Sequence, residues 1–276
     1  MQPAPMSTPT FINDIPTSTY DGWDAINYSS LKKFMVSPKH YQSWFLNKDN
    51  EETKDAFRFG SAVHMLCLQP EHFNHRWSIA PEVDRRTKAG KETWAMFLEE
   101  VNGSDNYLSM KEFELCVNIA NSLKQNQFWN VMNDKDDEIY REFGILSDYA
   151  GVKVKGRVDF YNKTKNIIVD VKTISQTPTV KNVLDQIYSL KYHIQTFFYT
   201  KLVESMFKPI NTPSFYFVFV EKTIPHSVAW FEISTEFGDY EHTKQKVEDA
   251  LCRFENAKKV NIWAGLENEN KPYLLK

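Results

Sequence analysis

Apolar and polar residues alternate along the first half of the chain with the period of an α-helix. The first predicted helix has an apolar stripe formed by Leu31, Phe34 and Met35. Ser29 or Ser30 is its predicted N-cap, and Pro38 ends it. The same spacing predicts further helices over residues 54–68, 90–101 and 111–127. A basic loop is expected over residues 80–92.

Strand-like runs replace this pattern in the second half of the chain. Apolar and β-branched residues predict three successive strands over 138–147, 152–162 and 166–173, with a hairpin turn at 162–166. Two helices are predicted to follow over 179–189 and 192–206, and two strands over 214–221 and 227–233. A long amphipathic helix over 236–259 is predicted after them. This order indicates an α/β or α+β fold with a mixed central β-sheet flanked by helices.

Length and composition fit one large globular domain. The chain has 276 residues, of which 42% are hydrophobic and 25% are charged, which is enough for a substantial core. Residues 1–27 are rich in Pro, Ser and Thr and are interpreted as a flexible N-terminal arm. Residues 28–265 are interpreted as the domain, with a helical N-terminal part, and 266–276 as a polar C-terminal tail.

Charge, cysteine content and missing motifs argue against several classes of protein. The 33 basic and 36 acidic side chains give a net charge of −3, so any DNA binding must come from local basic patches. The three cysteines form no CxxC pair, which disfavours a disulfide framework, zinc or an iron–sulfur cluster. No GxxxxGK[ST], GxSxG or HExxH motif is present. Because no leader-like or membrane-spanning stretch is seen either, the chain is predicted to be cytoplasmic.

The strongest candidate site lies in two neighbouring predicted strands. Asp159 falls in the run GRVDF at 156–160, and Asp170 and Lys172 fall in IVDVKT at 168–173. Residues two apart in a strand share a face, so Asp170 and Lys172 project together. Two carboxylates that meet across a hairpin suit Mg²⁺ or Mn²⁺, and a lysine beside them can orient or activate a water for phosphodiester hydrolysis. The alternative is a surface ion pair, which is less natural inside an apolar run.

Three further polar residues are candidates, each with a structural alternative. His64 shares a helix face with the small Gly60, although a lone histidine is more often a satisfied core or boundary residue. Gln195 and Tyr199 lie four apart on one helical face and can reach a phosphate. Alternatively, the aromatic residues around them only pack this helix against the sheet.

Basic residues cluster in two places that are candidates for contacts with DNA phosphates. The two sets are Arg85, Arg86 and Lys88 in the predicted loop, and Lys153, Lys155 and Arg157 along one face of the strand that enters the site. A solvated surface is the usual explanation for such a loop. Glu142, on the preceding strand, either adds a carboxylate to the site or pairs with that basic face.

Taken together, these motifs resemble the RecB-like branch of the PD-(D/E)xK nucleases, and most closely the RecE-type exonucleases (exonuclease VIII nuclease domain) of phages and prophages. Four motifs follow the family's order: Gly60-x-x-x-His64, Gly156-Arg157-x-Asp159, Asp170-x-Lys172-Thr173 and Gln195-x-x-x-Tyr199. The segment Ser30-Leu31-x-x-Phe34 and the basic loop are also similar, so the resemblance covers roughly residues 28–235. Unlike some RecB-like nucleases, the chain has no cysteine quartet for an iron–sulfur cluster.

The resemblance implies a restriction-endonuclease-like core and a set of residue roles. His64, Asp159, Asp170 and the Val171 carbonyl would bind Mg²⁺, for which Mn²⁺ would substitute. Lys172 would position the attacking water, and Gln195 and Tyr199 would organise the site and contact the DNA backbone.

The resemblance also implies a function. It predicts a Mg²⁺-dependent exodeoxyribonuclease that degrades one strand of linear double-stranded DNA 5′→3′ and leaves 3′ single-stranded tails. The implied partners are double-stranded DNA ends, a single-strand annealing protein of the RecT type and further copies of the chain in a ring. No membrane is expected among the partners. A structure-specific or single-strand endonuclease using the same site is an alternative. A non-catalytic DNA-binding recombination module is another, against which the intact Asp159, Asp170 and Lys172 argue.

Overall fold

The structure is a computed structural model that describes residues 8–46, 54–102, 106–234 and 240–266. The helices of the first half are α1 (Thr17–Gly22), α2 (Tyr28–Phe34), α3 (Pro38–Leu46), α4 (Lys54–Leu68), α5 (Phe73–Arg76), α6 (Lys88–Glu100), α7 (Met110–Gln125) and α8 (Gln127–Met132). Those of the second half are α9 (Val180–Ser189), α10 (Tyr192–Phe207) and α11 (Tyr240–Val260). The strands are β1 (Thr10–Ile12), β2 (Ser78–Ile79), β3 (Tyr107–Leu108), β4 (Ile139–Tyr149), β5 (Val152–Asn162), β6 (Ile167–Ile174), β7 (Ser214–Glu221) and β8 (Val228–Ile233).

Six strands form the central sheet in the order β1-β4-β5-β6-β7-β8. Strands β6 and β7 run parallel, because α9 and α10 carry the chain back between them, and the other neighbours run antiparallel. A mixed sheet flanked by helices confirms the predicted fold class. Strands β2 and β3 form a separate two-stranded ladder.

Apolar side chains cover both faces of the central sheet. One cluster includes Leu31 of α2 and Phe217 of β7, and the other includes Val63 of α4 and Val171 of β6. Strands buried on both faces are apolar along most of their length, so the buried Asp170 of β6 is an exception that needs polar partners. None of the described helices is long and apolar enough to cross a membrane.

The N-terminal segment differs from the loose arm predicted for residues 1–27. Residues 10–12 form β1 and pair with β4, and Ile15 and Ile26 are both buried. These apolar anchors bind the segment to the sheet in spite of its prolines. The prediction of an arm is therefore wrong from residue 10 onward, and residues 1–7 lie outside the described part.

Most predicted elements are confirmed, with shifts at a few ends. Strands β5 and β7 have the predicted bounds. Helix α2 is capped by Asn27 rather than by a serine, since the Asn27 side chain accepts a hydrogen bond from the Ser30 amide at 2.8 Å. Helix α6 begins at Lys88, inside the predicted loop, because the Thr87 hydroxyl caps it. Residues 235–239 and 267–276, which hold the predicted start of α11 and nearly all of the tail, lie outside the described residues.

Helix α10 lies against β5 at a residue without a side chain. A Cβ placed on Gly156 would lie 2.4 Å from Leu202 Cδ1 and 3.3 Å from Tyr199 Cε1. Any larger residue would therefore force the helix or these side chains to move. This contact sets the height of α10 above the strand that carries Asp159.

Candidate active site

Strands β5 and β6 pair only near their hairpin, and the site lies where that pairing stops. The paired residues are Phe160 with Val169, Tyr161 with Ile168 and Asn162 with Ile167. Beyond them, the Val171 amide of β6 donates a hydrogen bond to Asp159 Oδ2 at 2.9 Å instead of to the backbone of β5. The separating strands therefore place a buried carboxylate between them.

Helix α4 and strand β4 bring two more ligand-bearing side chains to Asp159. His64 Nδ1 lies 3.4 Å from Asp159 Oδ2 and 3.7 Å from Glu142 Oε1. One ligand atom from each of the three side chains lies within 4.8 Å of the others. His64 thus lies in a charged cluster, which favours the functional interpretation over that of a satisfied core histidine.

Glu142 reaches this cluster through an unusual backbone conformation. Its φ angle is +46°, in the left-handed region of backbone conformation that residues other than glycine rarely adopt. The β4–β5 ladder pairs Arg141 with Phe160 and Phe143 with Val158, and omits only the step between them. Such local departures from strand geometry are enriched at functional sites. Glu142 therefore adds a carboxylate to the site rather than pairing with the basic face of β5.

The charges of this cluster support one another. Burial alone would lower the pKa of His64, but the carboxylates of Asp159 and Glu142 outweigh it and raise this pKa to about 9. Burial raises the pKa of Asp159, and Glu142 raises it further. Bringing carboxylates together out of water is costly unless a cation joins them.

Asp170 and Lys172 form the other side of the site, as the alternation along β6 predicts. The Lys172 ammonium makes an ion pair with Asp170 Oδ1, and Gln195 Nε2 donates to Asp170 Oδ2 at 2.6 Å. Burial, with the nearby Asp159, raises the pKa of Asp170 to about 6. Burial alone would lower the pKa of Lys172, but the Asp170 carboxylate reverses the effect and raises it.

The donor set fits a divalent metal ion. A metal would be held first by His64, Glu142 and Asp159, which offer an imidazole and two carboxylates at short mutual distances. This set differs from the predicted one, because both Asp170 oxygens are engaged by Lys172 and Gln195. Binding of the ion by Asp170 stays a prediction. Of Val171, the observed contact is the amide with Asp159, and the role of its carbonyl stays a prediction.

Tyr199 lies on the same helix as Gln195, over Gly156. Its ring packs edge-on against Tyr28, with centroids 6.5 Å apart. Burial raises its pKa well above the usual value, and Tyr20 adds to the effect. These contacts agree with the packing interpretation, and its contact with DNA stays a prediction.

The basic face of β5 is largely used inside the protein. Lys155 is buried, and its ammonium donates to the carbonyls of Tyr20 at 2.7 Å and Trp23 at 2.9 Å. Arg157 donates to the Ile15 carbonyl at 3.2 Å. The expectation that Lys155 lines a DNA path is therefore wrong, because its charge holds the N-terminal segment. Lys153, one step further out, is exposed.

The predicted basic loop is exposed, as its composition indicates. Arg86 forms a bidentate pair with Asp84 at 2.9 and 3.0 Å, and Arg85 lies over the Trp94 ring at 4.5 Å from its centroid. Lys88 lies 3.9 Å from Glu92. None of these contacts removes the loop from solvent, so its role in DNA binding stays a prediction.

One residue of the site escaped the sequence patterns. Tyr192 lies three residues before Gln195, and its ring faces the Lys172 ammonium, which lies 4.9 Å from the ring centroid. Helical spacing alone places Tyr192 and Gln195 on one face. No pattern identified which strand that face would meet.

Among solved structures, the chain is similar to a protein of Eubacterium rectale to which exonuclease activity is ascribed. The TM-score is 0.62 at 15% identity, over 95% of this chain and 94% of that one. At this identity the similarity shows a shared fold. A phage-related exonuclease of Haemophilus somnus 129PT matches with a TM-score of 0.40 at 14% identity, over 86% of this chain and 96% of that one. A TM-score this low carries no argument.

No match is found among the curated proteins. A family model does match, and its description is "PDDEXK-like domain of unknown function (DUF3799)". It covers residues 27–268, which include every residue of the candidate site. The chain therefore belongs to the PDDEXK-like family DUF3799.

Proposed function

We propose that the chain is a divalent-metal-dependent DNA nuclease, and more narrowly an exonuclease that degrades one strand of linear duplex DNA in the 5′→3′ direction. The observation that carries the proposal is the meeting of two charged groups at the separation of β5 and β6. His64, Glu142 and Asp159 lie on one side, and Asp170 with Lys172 lies on the other. Membership of a PDDEXK-like family supports the reaction class. The narrower exonuclease assignment rests on the motif resemblance.

Each residue has a role in this proposal that follows from its contacts. Mg²⁺, when bound, supplies Lewis-acid stabilisation of the charge that develops on the phosphate during hydrolysis. His64, Glu142 and Asp159 hold the ion, and the Val171 amide orients Asp159. Lys172 places a positive charge beside this cluster, where it aligns a water or a phosphate oxygen. Gln195 fixes the Asp170 carboxylate against which Lys172 rests.

The product and the partners follow from the same resemblance. We infer that 3′ single-stranded tails remain and are taken up by an annealing protein of the RecT type, with a phage or prophage as the source of the gene. A ring of several copies around the DNA would retain the substrate without a strongly basic surface, which agrees with the net charge of −3.

The test uses linear duplex DNA labelled at either the 5′ or the 3′ end, with Mg²⁺ or Mn²⁺, and a covalently closed circle in parallel. The wild type should release nucleotides from the 5′ end and leave the circle intact. Asp159→Asn should abolish release, whereas Asp185→Asn, the same change in an exposed surface ion pair with Lys181, should leave it unchanged. Cleavage of the circle would favour the endonuclease. DNA binding without any cleavage would favour the non-catalytic module.

A further inference from the structure

Helix α10 contacts both charges of the Asp170–Lys172 pair from successive turns. Gln195 donates to Asp170 Oδ2 at 2.6 Å. Three residues earlier, the ring of Tyr192 faces Lys172 Nζ, which lies 4.9 Å from the ring centroid. Lys172 is itself largely buried, with 16% of its side chain exposed. Helix α10 therefore contacts Asp170 through the side-chain amide of Gln195 and Lys172 through the ring of Tyr192.

A second aromatic ring also lies close to the Lys172 ammonium. Phe217 of β7 lies 5.7 Å from Lys172 Nζ, measured to its centroid. The Tyr192 and Phe217 rings stack at 5.2 Å with an angle of 29° between their planes. A cation near the negative face of an aromatic ring is attracted to it, and more strongly when water is excluded. The two rings thus form an aromatic wall beside the lysine.

The start of α10 is held so that Tyr192 cannot easily turn away. The Tyr28 hydroxyl donates to the carbonyls of Leu190 at 2.7 Å and Lys191 at 3.1 Å. Gln186 Nε2 lies 3.4 Å from the Tyr192 hydroxyl. Tyr192 is 9% exposed. Helix α9 therefore contacts the Tyr192 ring through Gln186, and helix α2 holds the backbone just before it through Tyr28.

We propose that Tyr192 is a positioning residue whose aromatic face holds the Lys172 ammonium in the candidate active site. The inference rests on the proposed nuclease function and adds a residue that its motifs do not contain. Asp170 is the other anchor of Lys172, but a carboxylate beside a divalent-ion site can be drawn toward the ion. A ring face is a poor ligand for such an ion, because hard cations prefer oxygen ligands. Tyr192 would therefore still hold Lys172 if a bound ion drew Asp170 away.

The test compares side chains that keep or remove the aromatic face. Tyr192→Leu should lower kcat by about 10- to 30-fold with KM unchanged, as expected for a desolvated cation–π contact. Tyr192→Phe should stay within about 2-fold of the wild type, since the face and not the hydroxyl is needed. Phenylalanines with one, two and three ring fluorines at this position should lower kcat stepwise, because fluorine weakens the face at nearly constant shape. Tyr188→Leu, on the exposed part of α9, is the matched control and should behave as the wild type.

A measurement without turnover accompanies the kinetics. In the wild type the ring currents of Tyr192 should shift the NMR resonances of the Lys172 Hε protons upfield, and Tyr192→Leu should remove much of that shift. An unchanged kcat in Tyr192→Leu, or a fluorine series without a trend, would overturn the positioning role while leaving the nuclease proposal intact. A wild type that cleaves no DNA under any metal condition would instead overturn the proposed function, and the positioning role with it.

Discussion

Lys155 of β5 and Lys172 of β6 are lysines on neighbouring strands, and the protein uses their charges in different ways. Lys155 donates to three backbone carbonyls of the N-terminal segment, at 2.7, 3.3 and 2.9 Å. Lys172 rests against a carboxylate and two ring faces. An ammonium has three donors, so the carbonyls use all those of Lys155. The contacts of Lys172 leave donors for a water or a phosphate oxygen.

In the proposed function, Lys172 would act in the reaction because of its partners and not because of its burial. Carbonyls fixed in the backbone hold a charge in place and complete its hydrogen bonds, as suits a structural anchor. Lys172 contacts a carboxylate that a metal could share and two ring faces that bind the ammonium only weakly. Its charge therefore stays available to a water or a phosphate oxygen. The comparison predicts opposite consequences for removing the two lysines.

Of the changes that separate the two lysines, Lys172→Met should have the largest effect. Loss of this charge from the candidate active site should reduce nuclease turnover by about 10²–10³-fold, the range seen when one electrostatic stabiliser is removed. Nucleotide release from linear duplex DNA measures it, and Lys155→Met should keep turnover per folded molecule. Lys181→Met serves as the control, since Lys181 forms an exposed ion pair with Asp185. Equal losses in Lys172→Met and Lys155→Met would remove the distinction between the two lysines.

Lys155→Met should affect stability instead. Without its ammonium, three partly buried hydrogen bonds to backbone carbonyls are lost, so the free energy of unfolding should fall by about 2–4 kcal/mol. Urea denaturation followed by tryptophan fluorescence measures this change, and Trp23 lies at one of the affected carbonyls. An unchanged midpoint would mean that the N-terminal segment is held by its apolar contacts alone.

The cluster opposite Lys172 should make the metal-free protein sensitive to pH. The pKa of His64 is raised from 6.5 to about 9, so the folded protein keeps this proton where the unfolded chain has lost it. Its contribution is complete below pH 6.5 and is lost as the pH rises through 9, by up to about 3 kcal/mol. Denaturation in EDTA across this range should show the decline, and His64→Asn should flatten it. A decline of the same size in His64→Asn would assign it to other groups.

The smallest effect is expected in the exposed loop. Arg86→Ala should weaken DNA binding by only a few-fold, and should reduce the slope of log affinity against log salt by about 1, as for one lost phosphate contact. Fluorescence anisotropy of a labelled duplex in Ca²⁺ measures both. Lys155→Met should leave the slope unchanged, since its charge is enclosed. A slope unaffected by Arg86→Ala would place this arginine away from the DNA.

Much of this arrangement could be predicted from local patterns, and the remainder depends on long-range contacts. The alternation of β6 placed Asp170 beside Lys172, and helical spacing placed Gln195 beside Tyr199. The same alternation placed Lys155 and Arg157 on one face of β5, but could not show that the N-terminal segment covers that face. Glu142 could be suspected but not assigned, because its left-handed backbone at φ +46° has no local signal in the sequence. Tyr192 shares a face with Gln195, and only the folded chain shows that Lys172 lies above it.

Gly156 has a consequence for how accurately the site is built. The helix that carries Gln195 and Tyr192 packs against Gly156, which has no side chain. A methyl group there would overlap Leu202 Cδ1 at 2.4 Å. The glycine thus acts as a spacer that sets the distance between α10 and strand β5, which carries Asp159. One added carbon would leave every functional group present but would displace α10, with Gln195 and Tyr192, from the strand that carries Asp159. A chain can therefore keep all its reactive residues and lose their concerted action through a change at a position that has no chemistry of its own.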